Sequence, residues 1–311
     1  MDSRHMAQTQ TPFDPNNTKV LHLELTTRCN ASCPQCARMD PAYGYSQDHE
    51  LTLLQCKDKF RKAFVEQLDK MFACGNFGDP AAARDCLAIF DWFRTTNPGM
   101  TLGMNTNGGL RTRFWWQELA DILRNPLDYV VFSIDGLADT NGTYRRDVIW
   151  DHVISNAEYY IAAGGIAHWD MLVFQHNQHQ VDACRELARK LGFKRFRTKV
   201  SSRFQQRPIN FLNPPSGHVQ LPAPDGPIRC HAAKERSVYV AATGATMPCC
   251  FIGADVFRMS EEMQKYISRP GYTDLVTSWT QSPPSVCKNN CATRDDSTRF
   301  LDQWQEDSAL C

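Results

Sequence analysis

An α/β fold built on a parallel sheet is predicted by three features of this 311-residue chain. Short apolar runs recur through its first two thirds, at 20–25, 71–74, 101–105, 129–134, 168–174 and 193–198. Segments with helical apolar spacing separate them. Each early run ends in a loop rich in Gly, Asn, Asp or Pro. Six strands alternating with helices imply right-handed crossovers, with every strand's C-terminal loop on one rim.

The first strand rests on Val20, Leu21, Leu23 and Leu25 and runs into Cys29-Asn30-Ala31-Ser32-Cys33-Pro34-Gln35-Cys36. A polar and aromatic loop follows at 40–54. Phe60, Phe64 and Leu68 share one face of a predicted helix at 57–68. The second strand leads into Gly75-Asn76-Phe77-Gly78-Asp79-Pro80 and a helix at 81–94. The third strand turns at Thr106-Asn107-Gly108-Gly109, ahead of a helix at 113–123. Tyr129 to Ile134 is apolar at nearly every position, as in a buried parallel strand, and ends at Asp135-Gly136. A helix at 148–163 closes on Gly164-Gly165, and one at 178–191 on Gly192. The cysteine loop, Gly78-Asp79-Pro80, Thr106-Asn107-Gly108 and Ser133-Ile134-Asp135-Gly136 therefore meet at one edge, where barrel folds carry their chemistry.

Charges balance at 34 basic and 34 acidic residues, so no electrostatic footprint for nucleic acid or an anionic membrane is evident. Thirteen cysteines with no secretory signal or long apolar run point to a reducing, cytoplasmic setting. An odd number in short spacings suits metal ligation better than a disulfide framework. Residues 1–6 (MDSRHM) look like expression-vector sequence and are excluded from fold reasoning. Cys56, Cys74, Cys86 and Cys184 read as small buried hydrophobes. Phe114-Trp115-Trp116 reads as helix packing. His168, His176, His179 and His218 lack ligand spacing, and Asn177 is placed as a helix cap.

Three thiols at C-x3-C-x2-C can wrap one side of a metal centre. A [4Fe–4S] cluster takes four protein thiolates, so this loop would leave one iron open. A zinc knuckle is the competing reading of the same cysteines. The loop and its position after a first strand resemble the radical S-adenosylmethionine (SAM) enzymes. That resemblance implies a partial (β/α)6 TIM-like barrel over 18–200, with Cys29, Cys33 and Cys36 holding the cluster. The open iron would chelate SAM, and an electron from the cluster would cleave it to methionine and a 5′-deoxyadenosyl radical that abstracts hydrogen from substrate. Gln35 stands where the family often has an aromatic residue near the adenine. Gly78-Asp79-Pro80 resembles the family's G-E-P motif, which holds the SAM amino group. Ser133 and Asp135 match its S-x-D-G turn, Ser133 as a ribose or carboxylate contact. Arg145 matches the arginine that pairs with the SAM carboxylate, with Arg146 as the alternative. Asn105 and Asn107 are placed along the adenosine site.

Proline and polar residues dominate 201–228, read as a linker after a tail at 1–17 and the barrel. The 229–311 segment is read as a small α+β iron–sulfur domain. It holds a hairpin turning near Thr243-Gly244, then helices near 260–267 and 275–279. Cys230, Cys249, Cys287 and Cys291 resemble the ligand set of the twitch domain, the shortened SPASM domain. That likeness implies a second, fully ligated [4Fe–4S] cluster for electron transfer or structure. Cys250 competes with Cys249, and a zinc ribbon is the alternative. The resemblance further implies a small-molecule or peptide substrate, oxidised or cross-linked, and a low-potential electron donor such as flavodoxin or ferredoxin. A first strand near Val20 leaves no room for an N-terminal leader-binding domain, so a peptide substrate would be presented by a partner.

Overall fold

The structure is a computed structural model and describes residues 11–41, 48–204, 208–219, 225–257, 266, 270–294, 297–298 and 305–306. Six parallel strands run in sequence order: β1 (Val20–Leu23), β2 (Lys70–Ala73), β3 (Thr101–Thr106), β4 (Tyr129–Ser133), β5 (Ala167–Val173) and β6 (Arg195–Val200). A seventh, β7 (Ser237–Val240), pairs in parallel with the free side of β1, His22 opposite Tyr239. It turns through Gly244, whose φ of +84° suits a residue without Cβ, into antiparallel β8 (Thr246–Met247). On the far edge Gln305–Glu306 pairs antiparallel with β6. The two edges of this nine-stranded sheet do not meet, so the barrel is partial, as predicted. The C-terminal hairpin shares the barrel's own sheet.

The helices sit between the strands as expected, with shifted ends. The helix expected over 57–68 is two shorter ones, α1 (Leu53–Lys59) and α2 (Lys62–Glu66). A capping box between Thr52 and Gln55 starts α1 early, and Phe60 leaves the helix at φ −104°, ψ 93°. Phe60 still stacks on Phe64 and packs at a tilt against Phe93, so the apolar spacing records a shared core, not one helix. The helix expected from 81 is a 3-10 turn at Pro80–Ala82 followed by α3 (Cys86–Thr96). Then come α4 (Arg113–Ile122), α5 (Asn141–Tyr144), α6 (Trp150–Ala162) and α7 (Val181–Leu191), the last closed by Gly192 at φ +89°. The helix expected at 260–267 lies almost wholly outside the described residues.

Trp116 of α4 packs against Phe132 and Tyr160, at ring separations of 5.2 and 6.3 Å, and is fully buried, whereas Phe114 faces outward. Cys56, Cys86 and Cys184 are core residues as predicted. Asn177 stands at the N-cap position of the 3-10 turn Gln178–Gln180 but its side chain does not cap it: Oδ1 accepts from Phe174 N at 2.7 Å and Nδ2 donates to Asp135 O at 2.8 Å, tying the loop back to the strand ends. Among the described residues no helix is long and apolar enough to cross a membrane.

A buried ion pair ties α3 to the start of β4. Arg94 meets Asp128 and donates to the carbonyls of Ile122, Pro98 and Met100, while Asp128 accepts from Leu102 N and Asn125 N. Removing one partner strands the other charge in the interior. Arg94→Met is expected to cost about 3–5 kcal/mol of unfolding free energy in urea titration. An unchanged midpoint would exclude that role.

Candidate active site

The cysteine loop leaves β1 through Glu24 and Leu25 and carries its three thiols onto one wall of a cavity of about 260 Å³. The thiols are free, not bridged to one another. Cys29 Sγ accepts from Ala31 N at 3.3 Å and from Asn107 Nδ2 at 3.5 Å, and Arg145 Nη1 lies 3.9 Å from Cys33 Sγ. Burial pushes the Cys29 thiol up to about 12 and Cys33 to about 11. At neutral pH these thiols are protonated, and a metal that binds them must displace the protons. Among the described residues no three His, Cys, Asp or Glu side chains already stand close enough to hold a single ion. What the loop offers is three sulfurs with N–H donors around them. Arg38 Nε, on the same wall, is buried and among the described residues has no hydrogen-bond partner.

Gly78 and Asp79 line the same cavity, against the start of the cysteine loop, where Asp79 N donates to Arg28 O at 2.9 Å. A Cβ on Gly78 would stand 1.8 Å from Thr26 O, so only glycine lets the loop after β2 pass beneath the cysteine loop. The buried Asp79 carboxylate accepts from Thr106 Oγ1 at 2.8 Å, Asn107 N at 2.7 Å and Ala81 N at 3.0 Å. It caps the 3-10 turn and joins the ends of β2 and β3. Burial drives its pKa upward, against these hydrogen bonds.

Asn105, Asn107, Ser133 and Arg145 also line the cavity. Asp135 lies behind Arg145, whose Nε donates to Asp135 Oδ2 at 2.6 Å. Asp135 in turn accepts from Leu172 N at 2.6 Å, so β5 fixes the carboxylate that aims the guanidinium. Arg146 instead stacks on Phe211 at 4.4 Å and does not line the cavity, whereas Arg145 does. Gln35 and Pro80 are buried and off the wall. Gln35 Oε1 accepts from Ser201 Oγ at 2.7 Å, and its carbonyl accepts from Arg203 at 2.9 Å, pinning the segment after β6 to the cysteine loop.

Sequence reasoning missed several neighbours. Lys199, Ser201 and Arg203 line the cavity, as does Cys74. Buried Glu24 accepts from Phe77 N at 2.8 Å and from the Tyr239 hydroxyl. Its one sequence signal is a carboxylate interrupting an apolar strand.

Cys230, Cys249, Cys287 and Cys291 meet in a second pocket with Phe13, Leu275 and Trp279. Cys287 and Cys291 stand four apart on helix Ser285–Cys291 and share a face. Cys230 caps the helix that follows it, accepting from Ala233 N at 3.5 Å, and its partner Cys291 holds its pKa below the usual thiol range. Trp279 Nε1, at this pocket, is buried and among the described residues has no hydrogen-bond partner. Cys250 is outside the pocket, and its carbonyl accepts from Asn76 Nδ2 at 2.8 Å.

Known proteins place this geometry. The chain is 32% identical over 141 residues to the tungsten-containing aldehyde ferredoxin oxidoreductase cofactor-modifying protein of Pyrococcus furiosus, covering 44% of this chain and 35% of that one. It is 30% identical over 148 residues to molybdenum cofactor biosynthesis protein 1 of Drosophila melanogaster, 46% of this chain and 25% of that one. The chain thus spans only 35% and 25% of the length of these curated relatives. Among solved structures, anSMEcpe with bound AdoMet and Cp18Cys peptide superposes with a TM-score of 0.59 over 90% of this chain and 92% of that one, at 13% identity, and so shares the fold. Residues 23–195 match the model of the Radical SAM superfamily, more than half of the sequence. The chain belongs to the radical SAM superfamily.

Proposed function

We propose that this enzyme holds its SAM-binding [4Fe–4S] cluster on Cys29, Cys33 and Cys36 and begins radical chemistry on a substrate in the barrel. The observation that carries this reading is three unbridged thiols on one cavity wall, with Asn107 and Arg145 donating toward them. A cluster held on Cys29, Cys33 and Cys36 would supply the electron for reductive cleavage of SAM, which starts the radical chemistry. The chain supplies orientation and exclusion of water. Arg145, held by Asp135, would meet the SAM carboxylate. The segment at Gly78-Asp79 would receive the amino group through backbone, because the Asp79 carboxylate is already committed to Thr106 and Asn107. Asn105, Asn107 and Ser133 line the adenosine side. Gln35 and Pro80 act by shaping the loops, not by touching SAM.

Cys230, Cys249, Cys287 and Cys291 fit a second [4Fe–4S] cluster of the twitch type. Four sulfurs would complete its ligands, and the orphaned Trp279 N–H is a donor for a cluster sulfur. Such a centre would accept the electron that a substrate radical loses on oxidation, or would serve structure alone, with a flavodoxin or ferredoxin supplying the first electron for SAM cleavage. A peptide substrate is the second reading, favoured by the peptide bound in the anSMEcpe structure.

Anaerobically reconstituted protein with dithionite is expected to convert SAM to 5′-deoxyadenosine, read by chromatography. The combined Cys29→Ala, Cys33→Ala and Cys36→Ala variant is expected to lose this activity while keeping one cluster's worth of iron and sulfide. Cleavage surviving in that variant would refute the assignment. The matching variant in Cys230, Cys249, Cys287 and Cys291 is expected to halve iron and sulfide. Zinc without sulfide in the wild-type pocket would instead select a zinc ribbon.

A further inference from the structure

The loop after β2 lines the cavity of the cysteine loop from Gly75 to Gly78. Neither helix nor strand covers these residues, since β2 ends at Ala73 and the 3-10 turn begins at Pro80. A carboxylate holds them instead. Glu24, one residue past β1 and only 1% exposed, accepts through Oε1 from Phe77 N at 2.8 Å and Gly78 N at 3.4 Å. A Cβ on Gly75 would stand 2.8 Å from that oxygen and 2.3 Å from Gly78 O, so the loop closes over Glu24 only with glycine there.

The other side of the carboxylate belongs to the C-terminal hairpin. Oε2 accepts from the hydroxyl of Tyr239 in β7, a fully buried residue. Asn76 completes the circuit: its Nδ2 donates to the Tyr239 hydroxyl at 3.3 Å and to Cys250 O at 2.8 Å. Cys250 directly follows Cys249 of the second sulfur set.

Peptide geometry says what this accomplishes. In a trans peptide the N–H and the preceding C=O point to opposite sides. Among the described residues no peptide bond is cis. With the Phe77 and Gly78 N–H groups turned onto Glu24, the carbonyls of Asn76 and Phe77 turn away from it. Asn76 O accordingly stands 3.9 Å from Cys36 Sγ, on the side of the cysteine loop. The buried acid thus aims backbone acceptors into the cavity, where a positively charged group can donate to them. An apolar side chain at position 24 would leave both N–H groups in the interior without that acceptor, a cost the loop escapes only by turning.

We propose that Glu24 and Asn76 are positioning residues that aim the Asn76 and Phe77 carbonyls at the amino group of SAM, and that the C-terminal hairpin holds them there through Tyr239 and Cys250. That the ligand is SAM rests on the radical SAM reading; that Glu24 seats the loop does not.

The test compares two probes that differ only at the amino group, S-adenosylhomocysteine and its deaminated analogue, bound to reconstituted protein in equilibrium dialysis. Wild type is expected to prefer the amine about tenfold. Glu24→Leu should lower that preference severalfold with affinity for the deaminated probe unchanged, and Glu24→Gln, which keeps one oxygen for Phe77 and Gly78, should restore most of it. Tyr239→Phe and Asn76→Ala should each lower the preference too, and they carry the test if Glu24→Leu does not fold. Their effects should not add, because the two side chains act in one circuit. Hydrogen exchange without ligand gives a second readout, with faster exchange of the Phe77 and Gly78 amides expected in Glu24→Leu.

Equal binding of both probes by wild type, a preference that survives Glu24→Leu or both hairpin-side variants, or equal weakening of the two probes would overturn the assignment. Faster amide exchange in a protein that binds no SAM would sink the radical reading and leave the loop's seat standing. SAM cleavage with a preference untouched by the variants would sink the positioning role alone.

Discussion

The rim depends on where one buried carboxylate spends its hydrogen bonds. Asp79 joins the loop after β2 to the end of β3 through Thr106 and Asn107, and Asn107 then reaches Cys29 Sγ. A carboxylate buried this deeply is costly unless its lone pairs are used, and three elements provide donors. The same bonds fix the 3-10 turn and so decide where α3 begins. The cysteine loop, the glycine passage beneath it and the asparagine beside it hold one geometry because the carboxylate at their centre has no slack.

The arginine opposite follows the same logic from the other side. Asp135 is buried at the end of β4, accepts from β5 and grips Arg145, so the guanidinium is aimed before any ligand arrives. Preorganisation of this kind lowers the ordering cost of binding. Between the two carboxylates the cavity presents sulfur on one face and N–H donors on another.

Much of this was legible in the chain because local chemistry carried it. The cysteine spacing, the Asp-Gly and Asn-Gly turns and the apolar runs each report short-range constraints, and all six early strands fall where those runs are. Helix ends were less legible. Phe60, Phe64 and Leu68 keep a helical period across a break, since a shared core imposes the same spacing as a continuous helix. Gln35 was the subtlest case: its partner Ser201 lies 166 residues away, and no local pattern announces such a bond. Nor does any local pattern reveal that β7 lies beside β1, which creates the contacts of Glu24 with Tyr239 and of Asn76 with Cys250. The lumen's polarity is written in alternate strand residues, but only register shows that Lys70, His168 and Arg195 face one space.

That β7 hydrogen-bonds to β1 makes the seat of the hairpin leading to Cys249 a property of a ladder. Loops can stretch by fractions of an ångström; a paired strand moves only by whole residues. A slip of one residue in β7 would turn Tyr239 out of the lumen and away from Glu24. The hairpin that leads to Cys249 is therefore seated by backbone pairing, and a change of sequence in the exposed loops around it leaves that register untouched.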